Sequence, residues 1–434
     1  MNTKKNSFFK HYKDFLKKVF FTLGVLAIYK IISFIILPGI DVEIMKISLS
    51  SESIANNIFK SFDLYLGGNL EKCSILSLNV MPYISASIVI QLLSSKMGGV
   101  DLFIKLKEEG ELGRQKITEY TQYLALIISL CQSIFYCTYT SYQVFEGVSA
   151  VFINRFIFIL VGTTSLITGT MFTIWLSGQI QNHGVGNGTS IILLTNILSK
   201  LPLNINKFLN LYTSNKISSI MFFSGVIVLI LVLLFIIYGE NTIYPIAIKY
   251  PIHYRTNNHH ILPMRLNNAG ILPSMVVSTI SYFPNIVMYF LYSFDSELGG
   301  IKKLVEYLQE GTVLFYIIQM FLIMYFTFIF SEMTFNPEEN AKNLNENGGL
   351  LMNCRPGKHT SNYFEKVLSN IDWIAGLYLS CICIFFNIIG NKFGLNISGT
   401  SILITITTLQ ELLRQCLGYF LTKQHKNVMK NMMY

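Results

Sequence analysis

His259 and His260 stand side by side in a polar stretch, with His253 and His183 elsewhere in loops, and imidazoles in such numbers raise the possibility of metal chemistry. An adjacent pair needs further ligands to close a coordination shell. The seven cysteines (Cys73, Cys131, Cys137, Cys354, Cys381, Cys383, Cys416) offer none, because they lie mostly in apolar runs and form no CxxC pair. They read as small buried hydrophobes. The stretch Gly184-Val185-Gly186-Asn187-Gly188 has the look of a phosphate loop, yet no soluble strand precedes it and no Lys-Ser/Thr follows. It reads as a flexible entry into a short helix. No catalytic constellation, metal site or cofactor site is expected.

Ionisable side chains within apolar runs are the remaining chemical markers, since each costs roughly 2.5–3.5 kcal/mol to place at the centre of a bilayer. Lys30 is near the middle of such a run and is expected to face protein or water. Glu332, Asp372, Glu411 and Arg414 fall near run ends, where snorkelling or solvent can accommodate them. Mid-membrane carboxylates of the kind that couple protons or ions to transport are scarce. A pathway through this protein would therefore be lined by apolar and hydroxyl groups. Val80 and Ile84, four apart, share one helix face, and Met275 and Thr279 repeat the spacing. Such faces suit either a constriction that excludes water by dewetting or ordinary helix packing.

The elements that position these residues follow from composition. In 434 residues, 52% are hydrophobic and 13% charged, against about 25% charged in soluble domains. That excludes a water-soluble globule and leaves a polytopic membrane protein, whose spans need about 20 apolar residues each. Ten runs qualify, at about 19–38, 74–95, 119–140, 155–178, 187–202, 218–238, 271–292, 311–334, 370–390 and 397–420. The first continues too far, without a small-residue cleavage site, to be a signal peptide. Alternate loops carry 21 and 9 of the 33 Lys+Arg, with three more within or beside spans, so both termini are expected on the cytoplasmic or equivalent side. Ten spans divide into two halves of opposite orientation, as in inverted repeats. Pro82 in the second span and Pro273 in the seventh, each the second span of its half, mark those two as kinked, pore-lining or moving elements.

Several stretches, in one order along nearly the whole chain, resemble the SecY family of protein-translocation channels. They are Leu66-Gly67-Gly68, then Asn79-Val80-Met81-Pro82-Tyr83-Ile84-Ser85-Ala86-Ser87-Ile88 with Gln91-Leu92-Leu93, Glu108-Glu109-Gly110-Glu111 with Gly113-Arg114-Gln115-Lys116-Ile117, and Thr168-Gly169-Thr170 with Gly184 to Gly188. Leu262-Pro263, Asn268-Ala269-Gly270, Asn336-Pro337-Glu338-Glu339, Arg355-Pro356-Gly357 and Gly399-Thr400-Ser401 continue the series.

The resemblance implies an all-α, ten-span fold in two pseudo-symmetric inverted halves, 19–216 and 217–420, between tails 1–18 and 421–434. A plug helix is implied near 62–73. A constricting ring would draw Val80 and Ile84 from the second span, Leu193 from the fifth, Met275 and Thr279 from the seventh and Ile404 from the tenth. Met275 and Thr279 depart from the isoleucine usual in the family. A lateral gate between the second and seventh spans would involve Pro82, Ser87, Gln91, Asn268 and Pro273. Loops 239–266 and 335–366 would dock a partner through Arg255, Arg355, Pro356 and Gly357, although Tyr254-Arg255-Thr256-Asn257-Asn258 is less basic than usual. The implied partners are a SecE-like subunit, a SecA-like motor ATPase or a ribosome, precursors bearing signal sequences, and membrane lipid. The implied activity is passage of unfolded polypeptides across a membrane and sideways release of apolar segments, without enzymatic activity of its own. A secondary transporter of a small solute and a non-conducting assembly scaffold are the rivals. The Asn/Lys/Ile-rich usage, the short C-terminal tail and Lys107-Glu108-Glu109-Gly110-Glu111 are similar to plastid-encoded algal members, which implies a thylakoid membrane, with a bacterial plasma membrane as the alternative.

Overall fold

The computed structural model describes residues 2–45, 73–95, 99–142, 144–145, 148–214, 219–249, 260–281, 311–351, 354–393 and 398–432. Helices dominate them. In chain order they are α1 (Asn2–Ile32), α2 (Met81–Leu93), α3 (Asp101–Glu108), α4 (Glu111–Ser141), α5 (Arg155–His183), α6 (Gly188–Thr213) and α7 (Ser219–Asn241). There follow α8 (Leu272–Ser281), α9 (Val313–Thr334), α10 (Pro337–Glu346), α11 (Lys358–Phe393) and α12 (Gly399–Met432). Among the described residues, five segments are long and apolar enough to cross a bilayer, and they lie in α4, α5, α7, α9 with α10, and α11. At about 1.5 Å per residue, the 31 residues of α4 reach about 46 Å, beyond a hydrocarbon core of about 30 Å. α7 leaves Ile227, Leu231, Leu234 and Phe235 exposed, an arrangement that suits lipid and not water.

Two expected spans differ in form. The run at 74–95 does not become helix until Met81, because residues 74–80 are taken up by turns and bridges. α6 is 26 residues long instead of short, and it runs through Pro202. Proline removes one backbone donor, but the following residues resume the helical ladder. The expected plug at 62–73 lies outside the described residues except for Cys73. So does the end of the expected seventh span beyond Ser281.

Two compact units emerge: Met1–Pro202 with Thr408–Tyr434, and Leu203–Thr407. The core of the first gathers Val25, Tyr29, Leu76, Val80, Leu176, Ile180, Ile191 and Ile192. In the second, Ile236, Val277, Ile323, Leu379, Ile382, Phe386, Leu403 and Ile406 pack together. Lipid tails are as apolar as these side chains, so close packing and not water exclusion holds such clusters in a membrane.

Among the described residues the loops add two small sheets. Val144–Phe145 (β1) pairs antiparallel with Val148–Ser149 (β2). In the second unit, β3 (Ile243–Lys249) lies between β4 (His260–Arg265) and β5 (Leu350–Leu351), both antiparallel to it.

Candidate functional site

The segment leading into α2 is built from polar residues that the apolar pattern hides. Leu37 N donates to Cys73 O and Ile75 N to Ile35 O, at 2.8 and 3.1 Å, so the strand-like exit of α1 fixes where this segment begins. Ser74, Ser77 and Asn79 are buried. Asn79 adopts φ +53°, a left-handed conformation that asparagine tolerates better than most residues. Its side-chain Oδ1 accepts from Tyr29 Oη at 3.1 Å, and its carbonyl accepts from Thr173 Oγ1 at 3.2 Å. Asn196 Nδ2 in turn donates to Tyr29 Oη at 2.7 Å. On the far side of the segment, Gly169 of α5 approaches so closely that a Cβ would stand 2.2 Å from Ile75 O.

This scaffold sets down the first group of expected pore residues. Val80 is fully buried at the N-cap of α2 and accepts from Ile84 N at 3.1 Å. Ile84 is half-buried against the same core cluster. Leu193 is buried on α6. Pro82 occupies the first turn of α2, where its missing N–H is not needed by the helical ladder. It starts a helix instead of kinking one. Gln91 Nε2 donates to Ser87 Oγ at 3.2 Å, which pairs these two expected gate residues one turn apart on α2.

The second group belongs to the other unit. Pro273 again falls in the first turn, here of α8, with Gly270 just before it at φ +66°. Met275 is half-buried and Thr279 exposed, and Thr279 Oγ1 donates back to Met275 O at 2.9 Å. Ile404 is buried on α12. Asn267 is the better-anchored of the asparagine pair, donating through Nδ2 to Glu240 Oε1 at 2.8 Å. The neighbouring Asn268 buries an Nδ2 that has no partner among the described residues.

The expected docking loops prove to be one folded module. β3 from the first loop pairs with β5 from the second, and Ile246, Met264, Ala341, Leu351, Phe364, Leu368 and Ile371 form a core beneath them. Asn336 caps α10 by accepting from Glu339 N at 3.4 Å, and Pro337 fills its first turn. Arg355 is exposed, with its carbonyl fixed by Thr360 Oγ1 at 3.0 Å. Gly357 takes φ +97°, a conformation that admits glycine and few others. Arg355, Pro356 and Gly357 therefore sit on a rigid, solvent-facing turn at the start of α11. Arg255 lies outside the described residues.

Gly184 to Gly188 is not a loose entry. Val185 N donates to Thr22 Oγ1 at 3.1 Å, and Leu412 lies against Gly186, so the stretch is wedged between α1 and α12. Beside it a cavity of about 400 Å³ is lined by Phe15, Lys18, Gln181, Asn187, Glu411 and Tyr419 among others. Among the described residues no group of three His, Cys, Asp or Glu side chains could hold a metal. Asp372 departs from its expected solvated position: it is 2% exposed on α11, with the side chain of Ser331 of α9 beside it. Sequence reasoning overlooked Tyr29, Thr173 and Asn196 altogether, although Asn79 and Asn196, both polar in apolar runs, were available as signals.

The SecY family model matches residues 74–413. The protein translocase subunit SecY of Rickettsia typhi is 32% identical over 430 residues, covering 97% of each chain. That of Escherichia coli K12 is 30% identical over 423 residues, covering 95% of this chain and 94% of the other. Among solved structures, a protein-conducting channel superposes with a TM-score of 0.63 at 15% identity, covering 93% of both chains. Sec61 in a canine ribosome-channel complex does so with 0.60 at 15% identity and the same coverage.

Proposed function

The chain belongs to the SecY family, and from that premise we propose how its residues divide the work of a protein-conducting channel. The match over residues 74–413, which embraces the α2 and α8 segments and the docking module, is the observation that carries this reading. It sets aside a secondary transporter of a small solute. Unfolded polypeptides pass through a constriction to which Val80, Ile84, Leu193, Met275, Thr279 and Ile404 contribute. Apolar segments leave between α2 and α8, past Pro82, Ser87, Gln91, Asn268 and Pro273. The two halves are 19–216 and 217–420, with the plug near 62–73. A SecE-like subunit completes the assembly.

Energy comes from a partner that docks on the module carrying Arg355, Pro356 and Gly357, with Arg255 on the neighbouring loop. A SecA-like motor is the primary proposal; the ribosome named with the canine relative supports the second possibility. A guanidinium on a rigid turn presents a planar donor array suited to a partner carboxylate. The membrane proposed is the plastid thylakoid, on residue usage; the relatives named above are bacterial, so a bacterial plasma membrane is the competing outcome, and immunogold labelling of source cells separates the two.

Reconstitution with a motor ATPase and a secretory precursor tests the function, and protected precursor inside proteoliposomes is the expected result. Ile84→Asn should raise ion leak through the resting channel, because a polar side chain stabilises water at a dewetted constriction. Unchanged leak would leave Val80 and Ile84 as ordinary packing. Arg355→Glu should abolish motor-driven translocation and Arg355→Lys weaken it, with thermal stability altered by no more than about 0.5 kcal/mol. Normal translocation by the Glu variant would remove Arg355 from the docking surface.

A further inference from the structure

Tyr29 is a fully buried tyrosine in α1, and nothing in the assigned pore, gate or docking surface uses it. A phenylalanine would fill the same space in the surrounding cluster of Val25, Leu76, Val80, Leu176 and Ile180. What the tyrosine adds is one oxygen, and that oxygen sits between two amides remote in sequence. Asn196 Nδ2 donates to Tyr29 Oη at 2.7 Å, which leaves the hydroxyl proton free to be donated to Asn79 Oδ1 at 3.1 Å. The hydroxyl can alternatively turn toward Asn196 Oδ1 at 3.0 Å. Asn79 and Asn196 are 0% and 1% exposed, so no bulk water competes for these groups.

Their placement gives the hydroxyl its significance. Asn79 immediately precedes Val80, and Asn196 lies three residues beyond Leu193 on α6, close to one turn. Thr173 of α5 holds the Asn79 carbonyl from another side, at 3.2 Å. Asn79 is also the residue whose left-handed φ of +53° turns the chain into α2. A change in its rotation would redirect Val80 and every residue of α2 behind it, Ile84 included. We infer that Tyr29 is a positioning residue for the constriction: its hydroxyl ties Asn79 to Asn196 and so keeps Val80, Ile84 and Leu193 in one fixed arrangement. The inference rests on the ring assignment proposed above. It adds a specific chemical cause for the ring's order, located in a helix that contributes no residue to the ring.

The test uses the full-length protein in proteoliposomes with two readouts, ion leak and amide hydrogen exchange of residues 77–84. Tyr29→Phe should raise resting leak about tenfold, the factor that corresponds to about 1.4 kcal/mol. Exchange over 77–84 should accelerate while α9 and α11 remain unchanged. Because Tyr29→Phe strands two buried amides and could fail to accumulate, Tyr29→Phe/Asn196→Leu is measured beside it. That pair removes the tie while leaving fewer orphaned groups. A merely structural role predicts that the pair restores wild-type leak and exchange, and that result would overturn the inference. Unchanged exchange over 77–84 in both variants would overturn it too, since no tie would then exist. Faster exchange with normal leak, in a preparation where Ile84→Asn does leak, would show a tie without influence on the constriction. If Ile84→Asn itself fails to leak, the ring assignment has failed, and the positioning role falls with it whatever the exchange rates.

Discussion

The two proline-headed segments, residues 73–93 around α2 and residues 267–281 around α8, solve the same problem by different means. Each begins a helix with proline in the first turn after a residue of positive φ, Asn79 in one and Gly270 in the other. In the first, Tyr29 of α1 and Thr173 of α5 reach into the turn, with Asn196 of α6 bonded to Tyr29 behind it, and Asn79 is bonded at both its side-chain amide and its carbonyl. In the second, Ser274, Ser278 and Thr279 each donate to a carbonyl three or four residues back on their own helix. Asn267, at the foot of the helix, reaches outward to Glu240. One segment is oriented by distant partners; the other is oriented by its backbone and by apolar packing of Val276 and Val277. Similar local sequence signals therefore do not imply similar rigidity.

The most forceful way to break the contrast is to push α5 off the first segment. Gly169→Ala would set a methyl against the backbone of Ile75, and a backbone obstacle cannot rotate away. A loss of about 3 kcal/mol or more in unfolding free energy is expected. Gly178, on the same helix with open space around its Cα, supplies the control: Gly178→Ala should be neutral or stabilising by up to about 1 kcal/mol. Thermal unfolding in detergent measures both.

Asn79→Ala removes a hydrogen bond and places alanine at positive φ, for a combined loss of about 2–3 kcal/mol. Asn79→Gly relieves the backbone part and should recover about half of that loss. Equal losses in the two variants would mean that the turn is not strained and that the amide alone matters.

The smallest effect is expected in the other segment. Ser278→Ala deletes a hydroxyl that, among the described residues, serves only the carbonyl of Ser274 and should change stability by less than about 0.5 kcal/mol. A larger loss would give Ser278 a role beyond its own helix and erase the distinction between the segments.

Much of this was legible in the primary structure, and the boundary of legibility has a physical cause. Apolar run length located the described spanning helices, because a bilayer requires it. Pro82 and Pro273 read as kinks within spans and prove to be helix starts, since a sequence shows that a donor is missing and not whether the ladder wanted it. Asn79 stood out as the first residue of the stretch Asn79 to Ile88; its meaning depends on Tyr29 and Asn196, 50 and 117 positions away along the chain. The β3–β5 pairing joins residues about a hundred apart, and two residues of β5 leave no alternating pattern to recognise. Asp372 looked solvated because it lies at the end of an apolar run, whereas α11 extends as helix from Lys358 and carries it inside.

The membership of the first unit has a consequence for how the chain is made. Its residues are Met1–Pro202 and then, after an interval of some two hundred residues, Thr408 onward. Leu412 lies against Gly186, and Tyr419 meets both the Phe15 ring at 5.5 Å and the Lys18 ammonium at 5.7 Å. During synthesis at about 5–20 residues per second, the surface around Gly186 waits roughly ten to forty-five seconds for the segment that covers it, and that around Phe15 roughly twenty to eighty. A nascent chain stalled before residue 408 would therefore present an unfinished first unit to the cell's quality control, however well its own helices had already formed.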